Sequence, residues 1–428
     1  MTVTPSTGTA AEIRTLYVCY FSLCEPLVQT QVLPYLRGIS RAGGTVWLLT
    51  FERAMPEHWK TESEETWRAR LRAEGIEWLT LPYHSRPSLP AKLFDIIAGT
   101  VRVIRTVRRE GIGIIHARSH LAAFISLLAR PFTGARVIFD IRGLLADDYA
   151  DAGQWPPRGV LYRITKRVET FLYRADGFVV LTDRARAELF PAVSEKPIQV
   201  IPTCFDPDRW TPNDPPDGDI RGAIGARGRT IIVYAGSLGG AYLTKELSEF
   251  FAVARTIDDR AFLLIATHSA PHAIKQQLER AGVPAADFHI RYVPPERLPA
   301  FLSASDIAMC IVKPGYSKLA MSPTKFAEYL ASGLPVISTR GIGDLDTLIG
   351  DERVGVLLDG FTAQSYAKAF RHADALRKQP GFRDACREVA HRCYDLDSIG
   401  SARYIRLYRA ISGSVDPLPV EEECATTL

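Results

Sequence analysis

The sequence predicts an α/β protein made of two doubly wound parallel-sheet domains that face each other across a cleft. Two observations support this fold class. Short runs of β-branched and aromatic residues alternate with longer helical patterns along the 428-residue chain, as in parallel sheets covered by helices on both faces. A segment rich in Pro, Asp and Gly, residues 211–219, interrupts this alternation and divides the predicted strands into two comparable sets. Ligands of such folds bind at the carboxyl ends of the strands, and therefore in the cleft.

The same pattern gives the predicted elements and their grouping. Predicted strands of the first set are residues 15–20, 45–51, 76–81, 112–116, 136–140, 178–181 and 198–201. Those of the second set are residues 230–235, 261–267, 288–292, 307–312, 335–339 and 354–358. The predicted organisation is a disordered N-terminus (1–13), a first domain (14–210), a linker (211–228), a second domain (229–395), an amphipathic helix (396–412) and a polar tail (413–428).

The composition argues against several classes of protein. The formal net charge is only +4, so attraction to anionic partners has to come from local patches, and no basic–aromatic motif indicates nucleic-acid binding. The seven Cys are scattered without paired CxxC units, which argues against a zinc site and favours a reduced protein. The N-terminus lacks the apolar core of a signal peptide, and no run approaches the ~20 apolar residues that cross a bilayer. We therefore expect a cytoplasmic protein.

The most informative segment, residues 318–337, reads KLAMSPTKFAEYLASGLPVI. Ser322 is a natural N-cap and Pro323 suits the first helical position, so a helix is predicted from Thr324 until Gly333 ends it. A helix N-terminus carries unpaired N–H groups and a partial positive charge, which makes it a phosphate site.

Two charged residues follow the start of this predicted helix. Lys325 in the first turn adds a full positive charge beside a bound phosphate. Glu328 lies one turn further on the same face, where its carboxylate can accept two hydrogen bonds from a ribose diol. The alternative is an N-capped surface helix that carries one Lys–Glu pair.

This segment closely resembles the C-terminal signature of retaining, family-4-type glycosyltransferases of the GT-B fold, in the branch that reads S-P-x-K-x-x-E-Y-L-A-x-G-x-P-V-I. Three further segments resemble the same branch: YAGSLGG at 234–240, FDIRGLLADD at 139–148 and IPTCFDPDRW at 201–210. Together they cover residues from about 14 to about 360. One departure is Ala320, where many relatives carry the first Glu of a Glu-x7-Glu pair that contacts the donor sugar.

The resemblance implies the activity and its division between the domains. The second domain would bind a nucleoside-diphosphate-sugar donor, and the first domain would bind a glycan, lipid-linked or small-molecule acceptor with a free hydroxyl. The last helix would pack back on the first domain. Transfer would retain the anomeric configuration by a front-face displacement, in which the leaving phosphate accepts the acceptor proton, with no metal or other cofactor. The sugar, the nucleobase, the acceptor and the oligomeric state stay open.

Several residues are candidates for donor binding. The glycine-rich loop after the first strand of the second set lets backbone N–H groups approach a pyrophosphate, although an ordinary tight turn is the alternative. The candidate cations for the leaving diphosphate are, in order of preference, Lys325, Lys318 and Lys245. The alternative for each is a solvated surface lysine without that role. The donor-binding candidates are Gly236, Ser237, Gly239, Gly240, Lys245, Arg291 (near the base), Lys318, Ser322, Pro323, Thr324, Lys325 and Glu328.

The first domain contributes candidates for the acceptor and the sugar. Asp140, Arg142 and Asp148 follow a strand that faces the predicted cleft. Arg142 is a candidate for an acidic or phosphorylated acceptor, and Asp148 or Asp147 for its hydroxyl, with a loop salt bridge as the alternative.

Three further residues follow the preceding strand. Relatives carry a His there that contacts the donor sugar, and the spacing leaves open whether His116, Arg118 or His120 takes that role. Asp344, after a strand of the second set, is either a residue at the sugar end of the cleft or a turn-forming Asp.

A basic, amphipathic zone spans residues 89–174. Its apolar residues, including Val160, Leu161, Ile164, Val168, Phe171 and Leu172, are most simply the stripe that faces the sheet. Its basic faces are either solvated or dock on an anionic membrane at the inner face, as in many relatives. Three other functions remain as alternatives: a nucleotide-sugar epimerase, a non-catalytic GT-B subunit, and a nucleotide-binding oxidoreductase, against which the lack of a G-x-G-x-x-G motif argues.

Overall fold

The computed structural model describes residues 13–53, 63–86, 88–191, 195–210 and 218–413. Its first sheet contains the parallel strands β1 (Arg14–Cys19), β2 (Thr45–Glu52), β3 (Ile76–Pro82), β4 (Ile114–Arg118), β5 (Arg136–Asp140), β6 (Gly177–Val180) and β7 (Ile198–Val200), in the order β3-β2-β1-β4-β5-β6-β7. Its second sheet contains the parallel strands β8 (Thr230–Ala235), β9 (Ala261–Ala266), β10 (Phe288–Arg291), β11 (Ile307–Cys310), β12 (Val336–Thr339) and β13 (Gly355–Leu358), in the order β10-β9-β8-β11-β12-β13. The predicted fold class is confirmed, and every strand ends within two residues of its prediction.

The helices of the first domain are α1 (Pro26–Gln31), α2 (Leu33–Arg41), α3 (Glu64–Ala73), α4 (Ser88–Glu110), α5 (Ser119–Thr133), α6 (Leu145–Asp151), α7 (Val160–Leu172) and α8 (Asp183–Leu189). Strand side chains alternate between the two faces of the sheet, so that Leu16 and Val18 of β1 join one core while Tyr17 and Cys19 join the other. Helices α4, α5, α7 and α8 contribute to the first of these cores, and α1, α2 and α3 contribute to the second.

The second domain contains α9 (Ile220–Ala223), α10 (Thr244–Ile257), α11 (Pro271–Arg280), α12 (Leu298–Ser303), α13 (Thr324–Ala331), α14 (Leu345–Glu352), α15 (Ala363–Arg377) and α16 (Phe382–Tyr394). Its strands and helices share one hydrophobic core. Helix α9 lies within the predicted linker, of which residues 211–217 are outside the described part of the chain.

The last helix, α17 (Ala402–Ile411), returns to the first domain and covers the core that holds α1, α2 and α3. The Tyr408 hydroxyl lies 2.6 Å from Nδ1 of His116 on β4. The Tyr404 hydroxyl donates to Oδ2 of Asp140 on β5 at 3.2 Å. Arg142 forms an ion pair with the same carboxylate, with Nε 2.7 Å from Oδ1. This buried polar network therefore anchors α17 to the first sheet.

Two helices of the first domain expose apolar residues. On α4 these residues recur at helical spacing and form what we call the exposed face of α4: Leu89, Leu93, Phe94, Ile97 and Val101, which are 40–77% exposed. On α7 the exposed residues are Val160, Leu161 and Ile164, at 49–66%. No helix among the described residues has the length and apolar character needed to cross a bilayer.

The exposure of α7 corrects one prediction. The interpretation that Val160, Leu161 and Ile164 face the sheet is wrong, because these three side chains are exposed and the apolar packing of α7 lies in its second half. There the Phe171 ring contacts Phe124 of α5 at 5.7 Å between centroids, and Leu172 is buried. The amphipathic pattern identified an apolar stripe, but its period says nothing about what covers each end of it.

We expect Asp140→Asn to lower the free energy of unfolding of the first domain by about 3–5 kcal/mol, because it leaves buried guanidinium groups without their carboxylate. Urea unfolding followed by Trp fluorescence measures this, since Trp47 and Trp78 are buried on β2 and β3. The matched control is Asp397→Asn, whose exposed ion pair with Arg41 should contribute at most about 1 kcal/mol. Equal losses in the two variants would contradict the anchoring role of Asp140.

Candidate functional site

The carboxyl ends of the two sheets meet at a seam where the first turn of α13 contacts the first domain. Gln31, at the end of α1, donates from Nε2 to the hydroxyl of Thr324 at 2.7 Å. Two residues before Thr324, the Ser322 side chain accepts a hydrogen bond from the backbone N–H of Thr203 at 3.1 Å. The start of the helix predicted to bind phosphate therefore faces residues of the other domain.

The start of α13 differs from its prediction by one residue. The helix begins at Thr324, so Pro323 is the N-cap and Ser322 is not. Pro323 has no side-chain acceptor, and no described side chain caps the helix. The predicted N-cap was wrong because the Ser322 hydroxyl binds Thr203 instead. The Phe326 N–H donates to the Pro323 carbonyl oxygen at 3.0 Å, whereas no described residue accepts a hydrogen bond from the N–H groups of Thr324 and Lys325, which are left for a ligand.

Lys325 lies buried in the first turn of α13, at 6% exposure. Its Nζ donates to the Tyr234 hydroxyl at 2.7 Å and lies 3.9 Å and 4.0 Å from the ring centroids of Tyr234 and Tyr242. No carboxylate of the described residues forms an ion pair with it. Burial lowers the pKa of Lys325 to about 8. The site thus holds a desolvated cation that aromatic rings stabilise but no anion neutralises.

Glu328 lies one turn further along α13. Burial raises the pKa of its carboxyl to about 7, although the charges of Arg209 and Lys325 act in the opposite direction. The side chain is half-buried and makes no hydrogen bond to another described side chain. Its oxygens are therefore left to accept hydrogen bonds from a ligand.

The glycine-rich loop after β8 lies against Lys325. Gly236, Gly239 and Gly240 all have positive φ angles, between 63° and 113°, which side chains rarely adopt. A Cβ at Gly236 would lie 3.3 Å from Nζ of Lys325. The Tyr234 hydroxyl donates to the carbonyl oxygen of Ser237 at 2.6 Å. Tyr234 therefore connects the glycine-rich loop to Lys325, and both of these were predicted to bind phosphate.

Arg118 brings a second cation toward the start of α13. Arg118 is 1% exposed, and its guanidinium donates to Oε1 of Gln31 at 2.9 Å. Asp140 lies 3.9 Å away, but that carboxylate is already paired with Arg142. Burial lowers the pKa of His116, so the ring adds no stable charge to the cluster. Two guanidinium groups share one carboxylate, which leaves an excess positive charge at the end of β4.

The three candidates near β4 occupy different places. His116 is fully buried under α17. His120 is half-buried, with Nε2 3.6 Å from Oε1 of Glu169. Arg118 alone among the three is linked to α13, through Gln31. Of these three residues, the structure brings only Arg118 to the seam.

The acceptor candidates after β5 are divided between the core and the seam. Asp140 is fully buried and Arg142 nearly so, both in contact with α17 rather than with the cleft. Asp147 is buried and forms an ion pair with Lys166 at 2.9 Å. Asp148 forms an ion pair with Lys318 across the seam at 2.6 Å. Lys318, which was predicted to bind the donor, and Asp148, which was predicted to bind the acceptor, therefore pair with each other.

The remaining candidates lie at the edges of the site. Lys245 is exposed on α10 and pairs with Glu249 at 2.9 Å. The guanidinium carbon of Arg291, at the end of β10, lies 5.0 Å from the Phe301 ring centroid. Asp344 accepts hydrogen bonds from the backbone N–H groups of Asp183 and Arg184, at 2.8 and 3.1 Å, and burial raises its pKa to about 6. It therefore caps α8 across the seam.

Sequence reasoning missed Gln31, Tyr234 and Tyr242 as components of the site. Tyr234 stands in the quoted YAGSLGG segment, so its position was visible while its contact with Lys325 was not. Gln31 and Tyr242 lie outside any quoted motif, and only tertiary contacts identify them.

Comparisons with known proteins agree with this architecture. Residues 28–209 match the model of glycosyltransferase family 4, and residues 219–391 match that of glycosyl transferases group 1. Together these two matches span most of the chain, and with the two-sheet architecture they support a glycosyltransferase with a GT-B fold. No curated protein sequence matched.

Solved structures share the fold at low sequence identity. A glycosyltransferase from Rickettsia africae superimposes with a TM-score of 0.70 at 14% identity, over 95% of this chain and 100% of the other. Sucrose-phosphate synthase from Thermosynechococcus elongatus gives 0.69 at 16%, over 94% and 100%. Anabaena HepE in complex with UDP gives 0.67 at 14%, over 92% and 99%.

We expect Lys325→Met to stabilise the protein by about 1–3 kcal/mol at pH 7, because Met keeps the contact with both tyrosine rings and removes a desolvated charge. A lysine whose pKa is lowered on folding weakens the folded state below that pKa. The wild-type stability should therefore rise between pH 8 and the unfolded-state value near 10.5, and the variant should lack that rise.

Thermal and urea unfolding across this pH range measure both effects. Lys245→Met is the matched control, because Lys245 is exposed and its replacement should change stability by at most about 0.5 kcal/mol. A destabilised Lys325→Met protein would show that the lysine contributes to folding rather than being held at a cost.

Proposed function

We propose that the protein transfers a glycosyl group from a nucleoside-diphosphate sugar to a hydroxyl acceptor, with retention of the anomeric configuration and without a metal ion. The observation that carries this proposal is the buried, unneutralised Lys325 at the uncapped N-terminus of α13, with Glu328 one turn away. A site that holds positive charge in a desolvated place is suited to an anion. The UDP bound in the HepE structure supports a nucleotide as that anion.

The donor is proposed to bind with its diphosphate at the first turn of α13. The phosphates would be surrounded by the backbone N–H groups of Thr324 and Lys325, the Lys325 side chain and the backbone of the Gly236–Gly240 loop. Glu328 would accept hydrogen bonds from the ribose hydroxyls in its ionised form. The sugar would then lie toward Arg118 and Gln31, across the seam.

The chemical step depends on charge stabilisation rather than on a protein nucleophile. As the bond between the anomeric carbon and the phosphate oxygen breaks, its electron pair moves to the diphosphate. The acceptor oxygen bonds to the same face of the anomeric carbon, and its proton passes to the leaving phosphate oxygen. Lys325 and the α13 dipole stabilise the growing phosphate charge, and the enclosed site strengthens both interactions.

Contacts across the seam suit a site that closes around its donor. The Lys318–Asp148 ion pair joins the 3₁₀ turn before α13 to α6. A diphosphate placed at α13 would compete with Asp148 for Lys318 and release Asp148 toward the acceptor. Both residues would then take the roles that the sequence predicted, but only after the donor binds.

We also propose that the first domain rests on an anionic membrane. The apolar side chains that α4 and α7 each expose, above all the exposed face of α4, are of a kind that marks interaction sites. Cationic side chains lie on the same two helices: Lys92, Arg102, Arg105, Arg108, Arg109, Arg163, Lys166 and Arg167. Such a combination favours anionic lipid headgroups over a neutral surface.

Donor binding is tested with a thermal-shift panel of UDP, GDP, ADP, CMP and their common sugars, with and without a chelator. A shift that one nucleotide produces and that survives chelation supports the proposal and identifies the base. Glu328→Ala should weaken binding of that nucleotide about tenfold or more, because a charged hydrogen-bond acceptor is lost. Glu249→Ala on α10 is the matched control, because Glu249 forms its ion pair with Lys245 on the solvent side of that helix. An unchanged affinity of Glu328→Ala would remove its assigned role.

Membrane contact is tested by co-sedimentation with vesicles of phosphatidylglycerol and phosphatidylcholine, compared with pure phosphatidylcholine. Replacing Leu93 and Ile97 by Ser should reduce binding to the anionic vesicles about tenfold or more, because two apolar side chains no longer insert. The paired control replaces exposed Tyr292 and Phe361 of the second domain. Equal binding by both double variants would contradict the assignment of this surface.

A further inference from the structure

A second polar site lies in the first domain, away from Lys325. His84 follows β3, and its Nδ1 lies 2.6 Å from Oδ1 of Asp95 on α4. The His84 backbone N–H and the Tyr20 hydroxyl donate to the other oxygen of the same carboxylate, at 3.1 and 2.6 Å. Asp95 is only 1% exposed, whereas the His84 side chain is 42% exposed. A buried carboxylate thus orients an accessible imidazole.

This orientation fixes what the imidazole can do. Because Nδ1 donates its proton to Asp95, the neutral ring presents the lone pair of Nε2 to the outside. No other described residue makes a hydrogen bond to Nε2. The bonds from Tyr20 and from the His84 backbone already attach the loop to Asp95, so the ring is not needed for that attachment.

The site lies at the carboxyl end of the first sheet. Tyr20 comes directly after β1, and His84 follows β3 by two residues, so both belong to the sheet edge that also carries Arg118. In a GT-B fold this edge faces the cleft.

His84 contacts the middle of the exposed face of α4, at Phe94. The imidazole packs edge-on against the Phe94 ring at 5.1 Å, and Leu89, Leu93 and Ile97 continue the apolar surface along the helix. A polar, hydrogen-bonding group therefore stands beside an apolar strip on a helix that also carries cationic residues. This arrangement is complementary to a molecule with a hydroxylated head and a hydrocarbon tail.

We propose that His84, positioned by Asp95, binds the hydroxylated head of a membrane-held, lipid-linked acceptor whose hydrocarbon lies along the exposed face of α4. Nε2 accepts a hydrogen bond from a head hydroxyl and holds the head at the cleft edge of the first sheet. The proposal rests on the proposed glycosyl transfer and specifies the class of its acceptor.

The test uses monomeric n-octyl β-D-glucopyranoside as the probe, with free glucose for comparison. Binding is followed by methyl NMR of Leu93 and Ile97 in the full chain. Two variants separate the two nitrogen atoms of the ring. His84→Asn keeps an amide near Nδ1 that can still bind Asp95, and His84→Gln keeps an amide near Nε2 that can still meet the ligand.

His84→Asn should melt like the wild type but bind octyl glucoside about tenfold more weakly, while His84→Gln should retain most of the affinity. Glucose alone should bind far more weakly than octyl glucoside. Wild-type affinity in His84→Asn would overturn the proposal. Loss of affinity in both variants together with a lower melting temperature would also overturn it, because the ring would then serve only the fold.

Nucleotide binding is measured on the same samples. The nucleotide that the thermal-shift panel selects should bind both variants as it binds the wild type, since His84 lies outside the donor site. If no nucleotide binds the wild type, the proposed transfer fails, and the octyl glucoside result still decides the role of His84.

Discussion

The carboxylate of Asp140 is the interaction on which both the architecture and the site depend. Burial alone would raise its pKa, but the Arg142 guanidinium and a hydrogen bond from His116 hold the pKa below its ordinary value. It accepts a hydrogen bond from the Tyr404 hydroxyl, which fastens α17 to the first sheet. One carboxylate that serves two guanidinium groups also leaves Arg118 with uncompensated charge at the seam. Asp140 thus holds α17 on the first sheet and leaves a net positive charge beside the cleft.

Lys318 and Lys325 show how neighbouring lysines come to differ in function. Asp148 neutralises Lys318 across the seam, so the Lys318 charge is compensated only while the two domains keep this arrangement. Lys325 is surrounded by tyrosine rings and kept from water, so its charge is intrinsic to the second domain. A buried ion without a counterion is costly to hold, and such a cost is typical of a site that gains an anion when it works. The unpaired lysine therefore gives the clearer indication of function.

The first domain separates its polar and apolar surfaces along α4. Asp95 faces inward and orients Tyr20 and His84, whereas Phe94, one position earlier, faces outward. Adjacent residues on a helix point about 100° apart, so one turn supplies both the buried anchor and the exposed apolar surface. An acceptor that is polar at one end and apolar at the other would match this division.

The sequence by itself determined the strands, the two-sheet organisation and the helix that carries Lys325 and Glu328, because these follow from local periodicity and from a motif within one turn of helix. Local patterns could not decide between His116 and Arg118. Both side chains project from the same face of β4, two residues apart. Tyr408, which is 292 residues from His116 in the chain, covers the histidine, while Gln31 joins the arginine to α13. Only the tertiary structure decides such an assignment, because burial depends on which distant segment packs over each position.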